Sequence, residues 1–197
     1  MPELFGRQAV LRGIERYLAQ PECLSVPVVG PRGIGKTVLL QRLLTEVVGP
    51  GKPFTCGAYV DFRQVGAISN TADFWRPLLA AIRAAVLPVF AELADLIDVE
   101  DPKGLPANIE DLGVEGHRLL VVLDGLDPAL TNPNLSPNTL DLLRDLGQRS
   151  CLRYVTGSRS PLIDLCLDQA SRTSPFFNIF RGDVIVPPYG DSQDRRQ

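Results

Sequence analysis

The sequence predicts an α/β domain in which a parallel sheet is covered by helices on both faces, a three-layer sandwich of about five strands. Three observations lead to this fold class. Short apolar runs alternate with segments whose apolar residues recur at helical spacing. The run Leu119 to Leu123 contains no polar residue, which is typical of a strand buried on both faces. The 197 residues, 45% of them hydrophobic, suffice for one such domain, at residues 1–190, followed by a polar tail at 191–197.

The first half of the chain predicts three helices and two strands. Gly49 and its neighbours up to Pro53 are rich in glycine and proline, so they end the second helix. Thr71 is a candidate cap for the third helix, and Pro77 inside its pattern implies that this helix kinks or begins later. The predicted order is helix 7–19, strand 24–29, helix 36–48, strand 54–62 and helix 71–86.

The second half predicts three further strands. Residues 88–116 indicate one or two short helices, at about 91–97 and 106–112. Ser136-Pro137 and Ser160-Pro161 each have the pattern of a helix cap followed by proline at the first helical position. The predicted order is strand 119–123, a helix from 137, strand 151–156, a helix from 161 to about 168 and strand 183–186.

Composition argues against several classes of protein. No apolar run approaches the roughly 20 residues that cross a bilayer, and the N-terminus lacks the features of a signal peptide, so we expect a cytoplasmic protein without a membrane segment. The cysteines are widely spaced and only one histidine is present, so buried reduced thiols are expected rather than a zinc site. The cysteines are Cys23, Cys56, Cys151 and Cys166.

Negative charge is concentrated in one segment. Ten acidic residues lie between Glu92 and Asp127, and within that segment only Lys103 and Arg118 oppose them. We interpret the segment as a solvated acidic face. Such a face disfavours nucleic acid as a partner, because the phosphate backbone is itself negative.

Residues 30–37 fit the phosphate-loop pattern G-x-x-x-x-G-K-[ST], between a predicted buried strand and a predicted helix. Glycines let backbone N–H groups surround a phosphate, and the start of the helix adds its positive dipole end. The Lys36 ammonium is expected to reach the β- and γ-phosphates, and the Thr37 hydroxyl suits Mg²⁺. The pattern leaves ATP and GTP both open. The predicted nucleotide-binding residues here are Gly30, Pro31, Arg32, Gly33, Ile34, Gly35, Lys36, Thr37 and Val38.

Polar residues follow two other predicted strands. Asp124 ends the strand 119–123 and is the candidate that holds Mg²⁺ through its water shell. Asp127 either orients or deprotonates an attacking water, or caps the following turn. Beyond the strand 151–156, Thr156, Ser158 or Arg159 contacts the γ-phosphate if that strand neighbours the loop strand. Arg159 is the preferred candidate because a guanidinium matches phosphate oxygens in a bidentate way.

These motifs, preceded by Phe5-Gly6-Arg7, resemble the AAA-like ATPase domains of the STAND class, the signal-transduction ATPases with numerous domains. In that class such a Phe-Gly-Arg element packs near the adenine, which implies nucleotide-binding roles for Phe5, Gly6 and Arg7. Residues 30–37, 120–127 and 156–159 match its phosphate loop, its second motif and the end of its fourth strand. The resemblance covers roughly residues 4–187 and implies the strand order 5-1-4-3-2, with ATP and Mg²⁺ as cofactors.

The chain departs from the pattern at two points. An acidic residue directly after the strand-end aspartate is common in the wider AAA+ superfamily, and Gly125 stands there, so slow hydrolysis is expected. The class continues into a helical lid and a winged-helix domain, which we expect to be absent from these 197 residues. The chain is then a fragment or a minimal member.

The favoured interpretation is an ATP-driven switch of a signalling or defence protein. Its partners would be ATP or ADP and other domains or proteins, with a nucleotide-dependent oligomer left open. One alternative is a AAA+ ATPase related to origin-recognition or remodelling ATPases that act on nucleic acid or protein. Another is a module that binds nucleotide without turnover. Lys36, Asp127 and Arg159 are the candidate catalytic residues.

Overall fold

The computed structural model describes residues 7–167 and 176–186, which form a three-layer α/β/α sandwich. All strand pairs in its five-stranded sheet are parallel, and the order is β2-β3-β4-β1-β5. Read from the other edge this is 5-1-4-3-2, so the predicted fold class and strand order are confirmed. The strands are β1 (Val26–Val29), β2 (Cys56–Asp61), β3 (Leu119–Asp124), β4 (Leu152–Ser158) and β5 (Val184–Ile185).

Eight α-helices lie in the described part of the chain, and none of them is long and apolar enough to cross a membrane. The predicted helices are found within a few residues of their expected bounds. The four-residue α6 and a 3-10 helix at Phe176–Ile179 were not predicted, because elements this short show no measurable periodicity. The helices are α1 (Gln8–Leu18), α2 (Lys36–Val47), α3 (Thr71–Val86), α4 (Ala91–Leu96), α5 (Leu105–Val114), α6 (Asp127–Leu130), α7 (Pro137–Gln148) and α8 (Leu162–Leu167).

Two hydrophobic clusters, one on each face of the sheet, hold the layers together. Alternate side chains of β3 enter opposite clusters: Val121 packs under α3, α5 and α7, and Val122 packs under α1 and α2. Because a cluster covers each of its faces, every residue of β3 is buried. Cys23, Cys56 and Cys151 are buried thiols, as predicted, and Cys166 is buried as well.

The register of the sheet brings the polar strand ends into one row. Asp61 at the end of β2 pairs with Asp124 at the end of β3, and Asp124 pairs with Gly157 of β4. Val29, directly before the phosphate loop, pairs with Ser158. Since the strands are parallel, all of these carboxyl ends meet at one edge, where ligands bind in open α/β sheets.

The acidic face is balanced by arginines that are distant in sequence. Arg76 and Arg83 of α3 pair with Glu100 and Asp95, at 2.6 and 3.2 Å. Arg149, after α7, pairs with Glu110 at 3.0 Å. The segment is therefore less negative at its surface than its own residues indicate.

Helix α3 begins at Thr71 and continues through Pro77, so the predicted alternative of a later start is wrong. Its cap is Asn70, whose side chain accepts a hydrogen bond from the Asp73 amide at 3.1 Å. The Asp73 carboxylate in turn accepts from the amides of Ser69 and Asn70. This capping box satisfies the first turn and offsets the bond lost at Pro77.

The cap supports a direct stability prediction. Asn70→Ala removes the acceptor for the Asp73 amide and should lower the free energy of unfolding by about 1 kcal/mol. Chemical denaturation measures this change. Ser69→Ala, which trims a neighbouring exposed hydroxyl, is the matched control, and an equal loss in both variants would contradict the capping role.

Candidate phosphate-binding site

A pocket of about 400 Å³ opens at the carboxyl edge of the sheet. It lies between the phosphate loop (residues 30–37), the end of β3 and the residues that follow β2 and β4. Its walls are mainly polar and carry charges of both signs. The lining residues are Arg32, Gly33, Gly35, Lys36, Thr37, Arg63, Asp124, Gly125, Asp127, Pro128 and Arg159.

The phosphate loop is fixed at both of its ends. The Gly30 amide donates to the Ser158 carbonyl at 3.2 Å, which joins the loop to β4. Gly35 caps α2 with φ 89°, a left-handed conformation that favours glycine. Ile34 is buried in the cluster beneath the loop, so its contribution is to hold the loop rather than to line the pocket.

Lys36 lines the pocket and folds back on its own loop. Its Nζ donates to the Gly30 carbonyl and, at 2.9 Å, to the Pro31 carbonyl. Partial burial lowers the pKa of Lys36, against the opposing effect of Asp127 and Asp124. The ammonium is thus held where it can exchange neutral carbonyl acceptors for phosphate oxygens.

Thr37 and Asp124, the two residues predicted to hold Mg²⁺, contact each other. The Thr37 hydroxyl donates to Asp124 Oδ2 at 2.7 Å, and the side chain of Asp124 is 1% exposed. The Tyr59 hydroxyl donates to the same oxygen at 2.9 Å. Burial, and then the charge of Asp124, raise the pKa of Tyr59, so this hydroxyl stays a donor.

Arg63 was not predicted, and it lies closest to this pair. Its Nη2 contacts Asp124 Oδ2 at 2.9 Å and Thr37 Oγ1 at 2.8 Å. Its Nε donates to Asp61 Oδ1 at 2.7 Å, and this bond is the first cause of a lowered pKa of Asp61. A weak sequence signal existed: Asp61 lies near the end of the predicted strand 54–62 and Arg63 directly follows it, much as Asp124 follows the predicted strand 119–123.

The position of the Arg63 side chain depends on the absence of a side chain at Gly125. Gly125 has φ 64°, and a Cβ placed there would lie 2.6 Å from Cγ of Arg63. An acidic side chain at this position would therefore be strained and would collide with the arginine stem. The glycine that departs from the AAA+ pattern is the residue that makes room for Arg63.

The donor set fits Mg²⁺ bound together with a nucleotide. Among the described residues, no group of three or more His, Cys, Asp or Glu side chains could hold a metal ion. Mg²⁺ is commonly bound by one or two protein oxygens, with phosphates and water completing its shell. Thr37 and Asp124 supply such oxygens, and the guanidinium contacting both indicates that this spot attracts a cation.

Asp127 and Arg159 are joined across the pocket. The Arg159 amide donates to Asp127 Oδ1 at 2.8 Å, linking the segments that follow β3 and β4. Both residues line the pocket. The bond shown for the Asp127 carboxylate thus runs to Arg159 and not to the turn that follows, which was its predicted alternative role. Its role toward an attacking water stays a prediction.

Several predicted residues do not line the pocket. Thr156 is fully buried, and Ser158 donates to the Ser160 carbonyl at 2.7 Å, which leaves Arg159 as the candidate for phosphate contact. Arg7 is 2% exposed at the start of α1, outside the pocket lining. The residues that fall outside the described ranges are Phe5, Gly6, residue 168 at the predicted helix end and the tail 191–197.

A comparison with family models identifies one match. The model described as "AAA ATPase domain" matches residues 3–157, which include the phosphate loop, Arg63, Asp124 and Asp127. None of the curated protein sequences matches this chain.

Solved structures share the fold at low sequence identity. The Walker-type ATPase paby2304 of Pyrococcus abyssi matches with TM-score 0.61 and 19% identity over 94% of this chain and 54% of its own. The Aeropyrum pernix ORC2 protein, solved as ADPNP-ADP complexes, gives 0.62 and 19% over 95% and 49%. The Aeropyrum pernix ORC1 protein, solved in complex with DNA, gives 0.59 and 18% over 95% and 47%. This chain spans about half the length of these proteins.

The dependence of Arg63 on Gly125 can be measured by a double-mutant cycle. Gly125→Ala should lower the free energy of unfolding by about 2–3 kcal/mol, because it combines a strained φ with a collision. In an Arg63→Ala background the cost should fall to about 1 kcal/mol, the backbone part alone. Urea denaturation of the four proteins gives the coupling, and additive effects would contradict the packing described here.

Proposed function

Because the chain belongs to the AAA ATPase domain family, we propose that it binds ATP with Mg²⁺ at the carboxyl edge of its sheet and hydrolyses it slowly, as a conformational switch. The observation that carries this proposal is the single pocket that brings together the phosphate loop, the Thr37–Asp124 pair and Arg159. These groups come from three separate segments of the chain: residues 30–37, the end of β3 and the residues after β4. Each group could bind one part of a nucleoside triphosphate with its Mg²⁺: the phosphate oxygens, the metal ion or the terminal phosphate.

The roles follow from position and charge. The amides of residues 33–37 and the dipole of α2 would bind the phosphate oxygens. Lys36 would neutralise the β- and γ-phosphates, and Arg159 would contact the terminal phosphate at the opposite wall. Thr37 and Asp124 would hold Mg²⁺, which supplies further positive charge to the phosphates when bound.

Slow turnover is supported by the residues around Asp124. Cleavage of the γ-phosphate needs a positioned water and positive charge on the transferring oxygens. Gly125 supplies no carboxylate next to Asp124, so Asp127 is the acidic candidate for orienting water. Its Oδ1 is engaged by the Arg159 amide, and a carboxylate with one oxygen already bonded has less freedom to accept a proton.

Two classes of AAA ATPase, which act on different partners, are compatible with this domain. A STAND-type switch would transmit its nucleotide state to other domains of a longer protein or to partner proteins. A AAA+ ATPase related to origin-recognition proteins would act on nucleic acid or protein, and the fold similarity to the two Aeropyrum pernix proteins supports this second candidate equally. The acidic surface of α4 and α5 argues only against DNA on that face.

Nucleotide binding is tested by removing the phosphate-facing charge. Lys36→Ala should weaken ATP binding by roughly 10- to 100-fold, since it deletes charge-assisted hydrogen bonds to the phosphates. Calorimetry in excess Mg²⁺ measures the affinity, and circular dichroism checks the fold. Lys103→Ala, at a side chain 88% exposed on the surface, is the control. Equal affinities of Lys36→Ala and wild type would refute the phosphate-loop assignment.

Hydrolysis is tested by phosphate release under multiple turnover. The wild-type rate should lie well below the roughly 10 s⁻¹ that is typical of enzymes. Asp127→Asn keeps Oδ1 as acceptor for the Arg159 amide but removes the charge, so it should lower the rate by on the order of 10²-fold without changing ATP affinity. An unchanged rate in this variant would show that Asp127 only accepts the bond from the Arg159 amide and takes no part in hydrolysis.

The same assay separates the two candidate classes. Duplex DNA added at saturating ATP should leave the rate unchanged if the domain is a STAND-type switch. Stimulation by DNA that is lost at high salt would favour the origin-type alternative, because binding to phosphate backbones is salt-dependent.

A further inference from the structure

The Nη2 nitrogen of Arg63 is surrounded by three oxygens. It lies 2.6 Å from Asp61 Oδ2, 2.8 Å from Thr37 Oγ1 and 2.9 Å from Asp124 Oδ2. An Nη nitrogen carries two hydrogens, so it cannot give a full hydrogen bond to all three acceptors. The oxygens thus form a cluster better matched to a small cation without directional bonds than to an N–H group.

Two of these oxygens are those that the proposed function assigns to Mg²⁺. The hydroxyl of Thr37 already donates its hydrogen to Asp124, and Arg63 directs an N–H at its oxygen. A metal ion on Thr37 and Asp124 would lie beside this N–H group, and the two positive charges would repel at such a distance. Arg63 in this position and a metal ion therefore compete for the same oxygens.

We propose that Arg63 is an internal cation that occupies the metal position of the nucleotide-free site and is displaced from Thr37 and Asp124 when Mg²⁺ enters with the nucleotide. This inference rests on the proposed function. It adds a residue that neither the phosphate-loop pattern nor the strand-end aspartate identifies. Arg63 binds no substrate in this role and acts by competing for the oxygens of the site.

The surroundings of Arg63 allow such a displacement. Asp61 holds it by two further bonds, from Nε at 2.7 Å and from its own backbone amide at 3.1 Å. Gln64 donates to Asp61 at 3.0 Å and fixes the carboxylate. The Arg63 side chain is 46% exposed, whereas Asp124 is 1% exposed. The guanidinium can turn toward solvent by giving up its Nη2 bonds, while the bond from its backbone amide to Asp61 remains.

In this role Arg63 would neutralise the buried charge of Asp124 until the metal ion replaces it. A carboxylate as buried as Asp124 is costly without a cation, and Arg63 supplies one before the metal arrives. It would also deny the site to Mg²⁺ alone, because the free ion offers no phosphate contacts in exchange for the lost arginine bonds. Metal would then bind only together with a nucleotide.

The test measures metal binding to the nucleotide-free chain, with Mn²⁺ as a spectroscopic substitute for Mg²⁺. Electron paramagnetic resonance should detect one bound Mn²⁺ in Arg63→Gln, with affinity roughly 10-fold or more above wild type, because the competing charged hydrogen bonds are gone. Arg63→Gln should also melt below wild type in EDTA and recover with Mn²⁺. Adding Asp124→Asn to this variant should abolish the bound ion.

Arg76→Gln is the matched control, because Arg76 forms a bidentate pair with Glu100 at the surface and should give wild-type metal binding. Equal Mn²⁺ affinity in wild type and Arg63→Gln, or a melting loss that Mn²⁺ does not restore, would show that Arg63 only stabilises the fold. If Arg63→Gln does not fold, Arg63→Lys and Arg63→Met replace it. The Mn²⁺ affinity of Arg63→Lys should stay close to that of wild type, because lysine keeps the competing charge, whereas Arg63→Met, which keeps an unbranched stem without charge, should bind Mn²⁺ more tightly than wild type. Equal affinities of Arg63→Met and Arg63→Lys overturn the proposal.

The two proposals fail in different ways. The Mn²⁺ measurement contains no nucleotide, so it reports on Arg63 alone. Failure of wild type to bind ATP in excess Mg²⁺ would instead remove the proposed function, whatever the variants do with Mn²⁺.

Discussion

The buried carboxylate of Asp124 is the constraint around which the site is built. A charge at 1% exposure costs several kcal/mol unless donors and a cation surround it. Thr37, Tyr59 and Arg63 all direct a hydrogen at the same oxygen, Oδ2. On the other side Gly157 leaves no room for a side chain, since a Cβ there would lie 2.7 Å from Oδ1. Asp124 of β3 thus bonds to the phosphate loop through Thr37 and to β2 through Tyr59, and it lies against Gly157 of β4.

The fold was predictable because its signals are local and repeated. Five apolar runs, each followed or preceded by a helical pattern, specify a covered parallel sheet, and the phosphate-loop pattern fixes which strand is central to the site. Pro77 shows the limit: the sequence rule disfavours a helix there, but the Asn70 cap and the packing of α3 against β2 outweigh one lost backbone bond. The ion pairs that balance the acidic face could not be predicted from the sequence either, since Arg76 and Arg83 lie on α3 and Arg149 follows α7.

The site was predictable only where a motif or a polar strand end marks the residue. Lys36, Thr37 and Asp124 were predicted by pattern and Arg159 by the polar end of a strand, and all four line the pocket. Arg63 was missed because its signal in the sequence is weak, and its position beside Asp124 appears only when the register aligns Asp61 with Asp124. A charged pair at the end of a strand is ordinary in sequence, and it becomes informative only when its strand is known to neighbour the one that ends in Asp124.

At this edge of the sheet, Gly125 and Arg63 together replace an acidic side chain with a basic one. Where a second acid would follow the metal aspartate, the chain has a glycine in a left-handed conformation, and the freed space holds an arginine stem. A second carboxylate would add negative charge beside Asp124 and help position water, whereas a guanidinium adds positive charge and, in our proposal, competes with the metal. The first arrangement would favour turnover. The second would favour a nucleotide-free state that is stable in itself and changes when metal and nucleotide arrive together, which is the property that the proposed switch requires.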